Sequence, residues 1–135
     1  MAVPQGKSYA ELMQCTDLLN ADNGICGWGI GRYITEMLGT RAIFTQWLCG
    51  QVRTTDMIHL LGFSDNVNDD IETAGIGMVN GIDSAVPLRV GVGEGGLEWT
   101  PGMKTGPRGD YWENAPLNVR IKANLQKARE TFHNA

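Results

Sequence analysis

Cysteine and histidine are the side chains best suited to nucleophilic or metal chemistry, and this chain has few of them: Cys15, Cys26, Cys49, His59 and His133. Cys49 and His59 are ten residues apart across an expected turn, close enough for a histidine to take the proton of a cysteine nucleophile. The competing reading is preferred. It sets His59 beside a buried apolar stripe and His133 at a fraying terminus. No C-x-x-C or H-x-x-x-H pair occurs, and zinc sites usually show such short spacings, so no metal is assigned. The run Asp65-Asn66-Val67-Asn68-Asp69-Asp70 has the acid density of a calcium loop, but Asp70 stands where that loop needs glycine. Acids at the positive end of a helix account for it better.

Gly91-Val92-Gly93-Glu94-Gly95-Gly96 matches G-x-G-x-x-G in form. No helix is expected after it, and Glu94 would repel phosphate, so it reads as a hairpin turn rather than a nucleotide cradle. Four acids, Glu94, Glu98, Asp110 and Glu113, lie near Trp99, Tyr111 and Trp112. Paired carboxylates among aromatics suit sugar hydrolysis. Aromatics beside Pro101 and Pro107 suit a protein-contact surface at least as well, because tyrosine and tryptophan bring large contact area at low entropic cost. The assigned contact residues are Trp99, Lys104, Arg108, Tyr111 and Trp112, joined by Arg120 and Lys127. No catalytic residue and no cofactor is assigned.

The elements that must position these residues read as mostly helical. Ser8 followed by Glu11 has capping-box spacing, and Leu12, Cys15, Leu18 and Leu19 continue as a helical stripe up to the turn formers of 20–24. Cys26, Ile30, Tyr33, Ile34, Met37 and Leu38 recur at helical spacing, and Gly39 sits where a left-handed cap belongs. Gly27, Gly29 and Gly31 fall inside this second helix, where each costs up to about 1 kcal/mol relative to alanine. Gly27 and Gly31, four apart, then serve close helix packing. A third helix is expected over about 41–49, closed by Gly50. A fourth runs from Thr54 or Thr55 to Leu61, and a fifth from Ser64-Asp65 to Asn80-Gly81. Thereafter Val86, Leu88, Val90 and Val92 alternate as a strand that pairs with 97–100 in a hairpin. Residues 102–109 form a loop. Asn114 caps a last helix, with Pro116 in its first turn and Leu117, Ile121, Leu125, Ala128 and Phe132 on one face.

The 135 residues are 42% hydrophobic and 19% charged, an ordinary globular balance that excludes disorder. Eighteen are glycine, about twice the usual share. The net charge of −4 is uneven: residues 1–114 carry seven Lys/Arg against fourteen Asp/Glu, and residues 115–135 carry four against one. A basic tail helix on an acidic body suits a protein partner or a further copy of the chain, so a homo-oligomer is expected. Four cations are too few for nucleic acid. Residues 1–7 lack the basic and apolar regions of a secretory signal, and no run is long enough to span a membrane. A cytoplasmic or virion location follows, or a periplasmic one only if a signal peptide has been removed. Three cysteines cannot all pair within one chain. Reduced thiols are the simpler reading, and a single Cys15–Cys26 bridge is the rival.

Cys15 on the first helix, Cys26-Gly27-Trp28-Gly29-Ile30-Gly31, Leu48-Cys49-Gly50, and the amphipathic stretches 54–61 and 67–79 together give residues 8–82 a pattern that resembles the small helical immunity proteins protecting bacteria from type VI secretion amidase toxins. The resemblance implies a non-enzymatic inhibitor that plugs a toxin's cleft as a dimer. The chain departs from that family in lacking a signal and a fourth cysteine, and in its residues after 82. The fold expected is therefore mainly α, a compact single-domain bundle of about five short helices (8–81) with a small hairpin and Gly/Pro loop (82–114) and a basic C-terminal helix (115–133). The function expected is a protein-binding module. The alternatives are a structural subunit of a bacteriophage virion or a small hydrolase using loop carboxylates.

Overall fold

Trp28 and Ile30 alternate with three glycines, and this alternation rather than a helical period governs the segment. In the computed structural model, which describes residues 1–84, 87, 98–103 and 119–133, Gly27–Gly31 is a strand, β1, with Trp28 and Ile30 fully buried on one face. The expected second helix is thus corrected to β1 followed by a short helix α2, Tyr33–Leu38. The reason is arithmetic. A spacing of four puts Gly27 and Gly31 on one face of a helix and on one face of a strand alike. Gly29, midway, shares that face only in a strand. Gly39 closes α2 in the left-handed conformation, φ 79°, with its N–H donated to Thr35 O.

The expected fourth helix is also a strand. β2, Met57–Leu61, buries Ile58 and Leu60 and turns Met57, His59 and Leu61 the other way. Its i, i+1, i+3, i+4 apolar pattern fits a helix turn, but five residues with alternate burial fit a strand better. The fifth helix is shorter than expected. It ends as α4, Val67–Ala74, and Asn80-Gly81 lie within β3, Val79–Asp83, rather than in a stop signal. Asn80 is the extra residue of a bulge opposite Ile58 and His59, and its side-chain oxygen accepts Ile58 N–H at 2.9 Å. The insertion lets Val79 and Ile82, three apart, line up with the core residues Ile58 and Leu60.

Three helices stand where the sequence puts them. α1, Tyr9–Asn20, starts at Ser8, whose hydroxyl accepts Glu11 N–H, while the Glu11 carboxylate accepts Lys7 N–H. α3, Ala42–Gln51, runs through Gly50 instead of ending there. α5, Val119–His133, buries Ile121, Asn124 and Phe132. The predicted hairpin strand 86–92 lies, apart from Pro87, outside the described residues, as do Asn114, Pro116 and Leu117. Glu98, Trp99 and Thr100 of its expected partner are not in a strand.

The architecture is consequently mixed α/β, with five helices among the described residues and a parallel sheet ordered β1-β2-β3. At the amino terminus Ala2 is buried and pairs in parallel with Trp28, extending the sheet beyond β1. The strand order never reverses. Crossovers of one hand that always advance in one direction set their helices on one face. Leu12 of α1, Ile34 of α2 and Phe44 and Leu48 of α3 accordingly join Trp28, Ile30, Ile58 and Leu60 in one core. A second cluster, Trp99 and Phe132 with Phe63, Ile71 and Met103, meets the first through Ala74 and Ile82. The opposite sheet face carries Gly29 beside His59 and Gly81, and Gly31 beside Leu61 and Asp83. Side chains of Met1, Val3, Leu61 and Tyr33 crowd its glycines.

Candidate functional site

The carboxyl ends of β1 and β2 are joined by a buried polar network. Arg41, the residue before α3, is fully buried. Its guanidinium donates to Asp70 Oδ1 at 2.7 Å, to Ile30 O at 3.2 Å and to Gly62 O at 3.0 Å, and Nε has no partner. Asp70 also accepts Ser64 N–H and Oγ–H. Asp69 accepts the hydroxyls of Thr35 and Thr40 and the backbone N–H of Arg41. Burial pulls the Arg41 guanidinium below its ordinary pKa, and the charge of Asp70 opposes that. A guanidinium stays protonated regardless. Asn66 caps α4, its oxygen accepting Asp69 N–H. The acidic run is therefore a capped helix start whose two last carboxylates turn inward, and no calcium loop forms. The network welds two strand ends to two helix starts, a structural task.

A third buried acid supports β1 from the other end. Asp56 accepts Trp28 Nε1–H at 3.1 Å and Arg53 N–H and Nε–H. Burial works to raise the Asp56 pKa, but these donors and the Arg53 charge outweigh it and hold the group below its usual value.

The cysteine–histidine idea finds no support in the geometry. His59 Nε2 lies 3.2 Å from Asp83 Oδ2, on the sheet face opposite the helices. Cys49 is half-buried on α3, and burial raises its thiol pKa, which disfavours the thiolate a nucleophile needs. All three cysteines are free. Among the described residues no three His, Cys, Asp or Glu side chains converge as metal ligands, and no helix is long and apolar enough to cross a membrane. Of the candidate hydrolytic acids, Glu94, Asp110 and Glu113 fall outside the described residues. Glu98 is held below its usual pKa by the hydrogen bond and charge of Lys127, with Arg120 adding to it. An acid kept ionised in this way is poorly placed to donate a proton.

The expected contact residues separate. Lys104, Arg108, Tyr111 and Trp112 lie outside the described residues. Arg120 and Lys127 both turn to Glu98, at 3.9 and 2.7 Å. Trp99 is not a surface residue: it is fully buried, its ring 5.9 Å from that of Phe63 and 6.4 Å from that of Phe132. Asn124 explains why. Its side-chain oxygen accepts Trp99 N–H at 2.8 Å and its Nδ2 donates to Pro87 O at 3.2 Å, so a fully buried amide of α5 pins both segments. Gly27 and Gly31, expected to pack helices, lie on a sheet face, where a Cβ on Gly31 would stand 2.7 Å from the Tyr33 ring.

What the fold does assemble is a cleft of about 680 Å³ between β3 and α5. One wall is β3 together with Ser84, which follows it. The other is the α5 face of Leu125, Ala128, Arg129, Phe132 and His133, and Phe63 and Ala74 contribute apolar lining. β3 pairs with β2 on one side, and among the described residues nothing pairs with the other. Sequence reasoning missed this site because it set Asn80-Gly81 as a stop. Arg41 was missed too, although it carried a signal: a cation at the positive end of a helix is unfavourable and implies a compensating acid. Compared with known proteins, the chain matches no protein family, no curated protein and no solved structure at a significant level.

Proposed function

We propose that this protein is a non-enzymatic protein-binding module whose site is the cleft between β3 and α5, an inhibitor of the immunity type being one such module. The observation that carries the reading is a cleft of about 680 Å³ between β3 and a helix face that carries Leu125, Ala128 and Phe132. A cleft of about 300–1,000 Å³ with apolar walls and a few convergent polar groups is the usual form of a recognition site. Among the described residues, His59 is engaged with Asp83 and Glu98 with Lys127.

A random peptide library displayed against the full chain tests this, with Leu125→Trp as the control. Leu125 lines the cleft and is 39% exposed, so an indole there fills the cleft without disturbing the core. Binders that lose affinity for Leu125→Trp are expected. A selection whose binders all ignore that substitution removes the reading.

A second reading, a subunit that assembles with copies of itself as in a virion, is favoured by the sheet face opposite the helices. Parallel sheets are normally covered on both faces, yet Met1 and Met57 stand 74% and 60% exposed here. Sedimentation of the full chain and of Met57→Glu tests it. A concentration-dependent dimer abolished by the substitution supports assembly, and a monomer in both cases rejects it.

A further inference from the structure

Two Asn-Gly pairs occur in the chain, Asn23-Gly24 and Asn80-Gly81, and the fold holds them very differently. In such a pair the glycine nitrogen can attack the side-chain amide carbon of the asparagine before it and close a five-membered imide. Glycine makes this easiest, because it has no Cβ to shield the nitrogen and lets the peptide rotate freely. In a folded chain the reaction also requires that the two residues be free to reach the ring geometry.

Asn23-Gly24 lies in the turn between α1 and β1. Ile25 N–H donates to Asp22 O at 3.2 Å, which sets Asn23 and Gly24 at the two central positions of the turn. Both are exposed, and the Asn23 amide makes no hydrogen bond among the described residues. Gly24 N–H belongs to no strand; it donates to Asp22 Oδ1 at 2.8 Å, and Asp22 is itself exposed. An exposed hydrogen bond between near neighbours contributes little net stability and opens readily.

Asn80-Gly81 is held by β2. The Asn80 amide oxygen accepts Ile58 N–H at 2.9 Å, and Gly81 pairs with His59. The His59 ring stands over Gly81, with Nδ1 3.3 Å from the place of an added Cβ. To bring the Asn80 amide carbon onto Gly81 N, the side chain must leave Ile58 and the 80–81 peptide must turn against His59. The strand has to unpair first.

We propose that Asn23 is a site of spontaneous modification, converted to aspartate and isoaspartate through an imide with Gly24, while Asn80 stays intact in the folded protein. Gly24 N gives up its proton to solvent base and bonds to the Asn23 amide carbon. The bond from that carbon to the amide nitrogen breaks, and the nitrogen takes up a proton and leaves as ammonia. Water then opens the ring at either carbonyl. One opening gives aspartate; the other gives isoaspartate, in which the main chain runs through the side-chain carbons. Either product adds a carboxylate beside Asp22. Isoaspartate also lengthens the link between Asn20, tied to Gln51 O, and Ile25, whose carbonyl accepts from Arg53.

The full chain is incubated in mildly alkaline buffer and sampled over time. Peptide mapping by mass spectrometry reads the exchange of amide for carboxyl at 23 and at 80 separately, and an isoaspartyl methyltransferase scores isoaspartate. Asn23 should react at least about tenfold faster than Asn80, because an exposed turn opens at almost no cost and a paired strand only at a cost nearer that of unfolding. In urea, where the fold no longer separates the two pairs, the rates should converge. Gly24→Ala should slow the loss at 23 at least about tenfold; its added Cβ meets only the Asp22 carboxylate, at 3.1 Å, so the turn accommodates it. Equal rates in the folded chain, or faster loss at Asn80, would overturn the inference. So would a folded chain in which Asn23 survives while the unfolded chain converts, a rate ratio unchanged by urea, a Gly24→Ala variant that reacts as the parent does, or aspartate formed without isoaspartate.

Discussion

Arg41→Met exchanges a fully buried cation for an apolar side chain of similar length, and its cost follows from what the guanidinium holds. Arg41 gives up a 2.7 Å ion pair with Asp70 and hydrogen bonds to Ile30 O and Gly62 O. Asp70 keeps only Ser64 N–H and Oγ–H and stays buried, 1% exposed, as an unpaired charge. Removing one partner of a buried pair costs about 3–5 kcal/mol, a large part of the roughly 5–15 kcal/mol that holds a domain folded. At about 2 cal/mol/K of unfolding entropy per residue, a domain of this length loses about 3–4 °C per kcal/mol, so the midpoint should fall by roughly 10–18 °C. Thermal unfolding measures the midpoint, and urea unfolding followed by tryptophan fluorescence, with Asp70→Asn and the double substitution, measures the cost in free energy. The double variant should cost less than the sum of the singles by about 1–3 kcal/mol, because the second change removes the charge that the first stranded. A cost for Arg41→Met below about 1 kcal/mol, in the range of ordinary surface changes, would show that the network is not a weld between strand ends and that the placement of Arg41 is wrong.

Gly50 lies inside α3 with nothing within 4 Å of an added Cβ, so Gly50→Ala should stabilise by about 0.5–1 kcal/mol in thermal unfolding; a loss would mean that Gly50 is a left-handed cap. Gly31→Ala should destabilise by about 1–3 kcal/mol, since its Cβ would press on the Tyr33 ring, whose hydroxyl is tied to Pro4 O at 2.7 Å; Gly31→Ala paired with Tyr33→Ala should show the clash relieved. Asp56 has a folded pKa below its ordinary 3.8, so its contribution to stability is complete above that value and is lost as pH falls below it toward the folded value. Asp56→Asn should accordingly be less stable than the parent at pH 7, and the two should converge in thermal midpoint below about pH 4; parallel acid limbs would contradict the bond network around Trp28. Trp28→Phe should cost more than Trp99→Phe in urea unfolding, because only the Trp28 indole donates to a partner, Asp56.

Local chemistry was legible in the sequence wherever one residue and its near neighbours settle a question. Ser8 with Glu11, and Gly39, stand at the helix ends their types predict, because a cap is decided by hydrogen bonds within four residues. α3 and the apolar face of α5 follow from helical spacing over about three and four turns. The strands were hidden because each has only five residues, too few to separate a period of two from one of 3.6. The spacing of Gly27 and Gly31 fits both periods. In β3 a bulge breaks the alternation outright, and Asn-Gly there imitates a turn. The contact residues misled for a related reason. Aromatic and basic side chains after residue 98 read as surface, but Asn124 draws Trp99 inside and Glu98 takes up Arg120 and Lys127. None of those partners is nearer than 22 residues in sequence. The sequence by itself therefore determined the start of α1, the end of α2, the presence of α1, α3 and α5, and the uneven charge. Tertiary structure alone decided the parallel sheet, the burial of Arg41 between two strand ends and the cleft beside β3, because each depends on groups far apart in the chain meeting once strands of ambiguous period find one another.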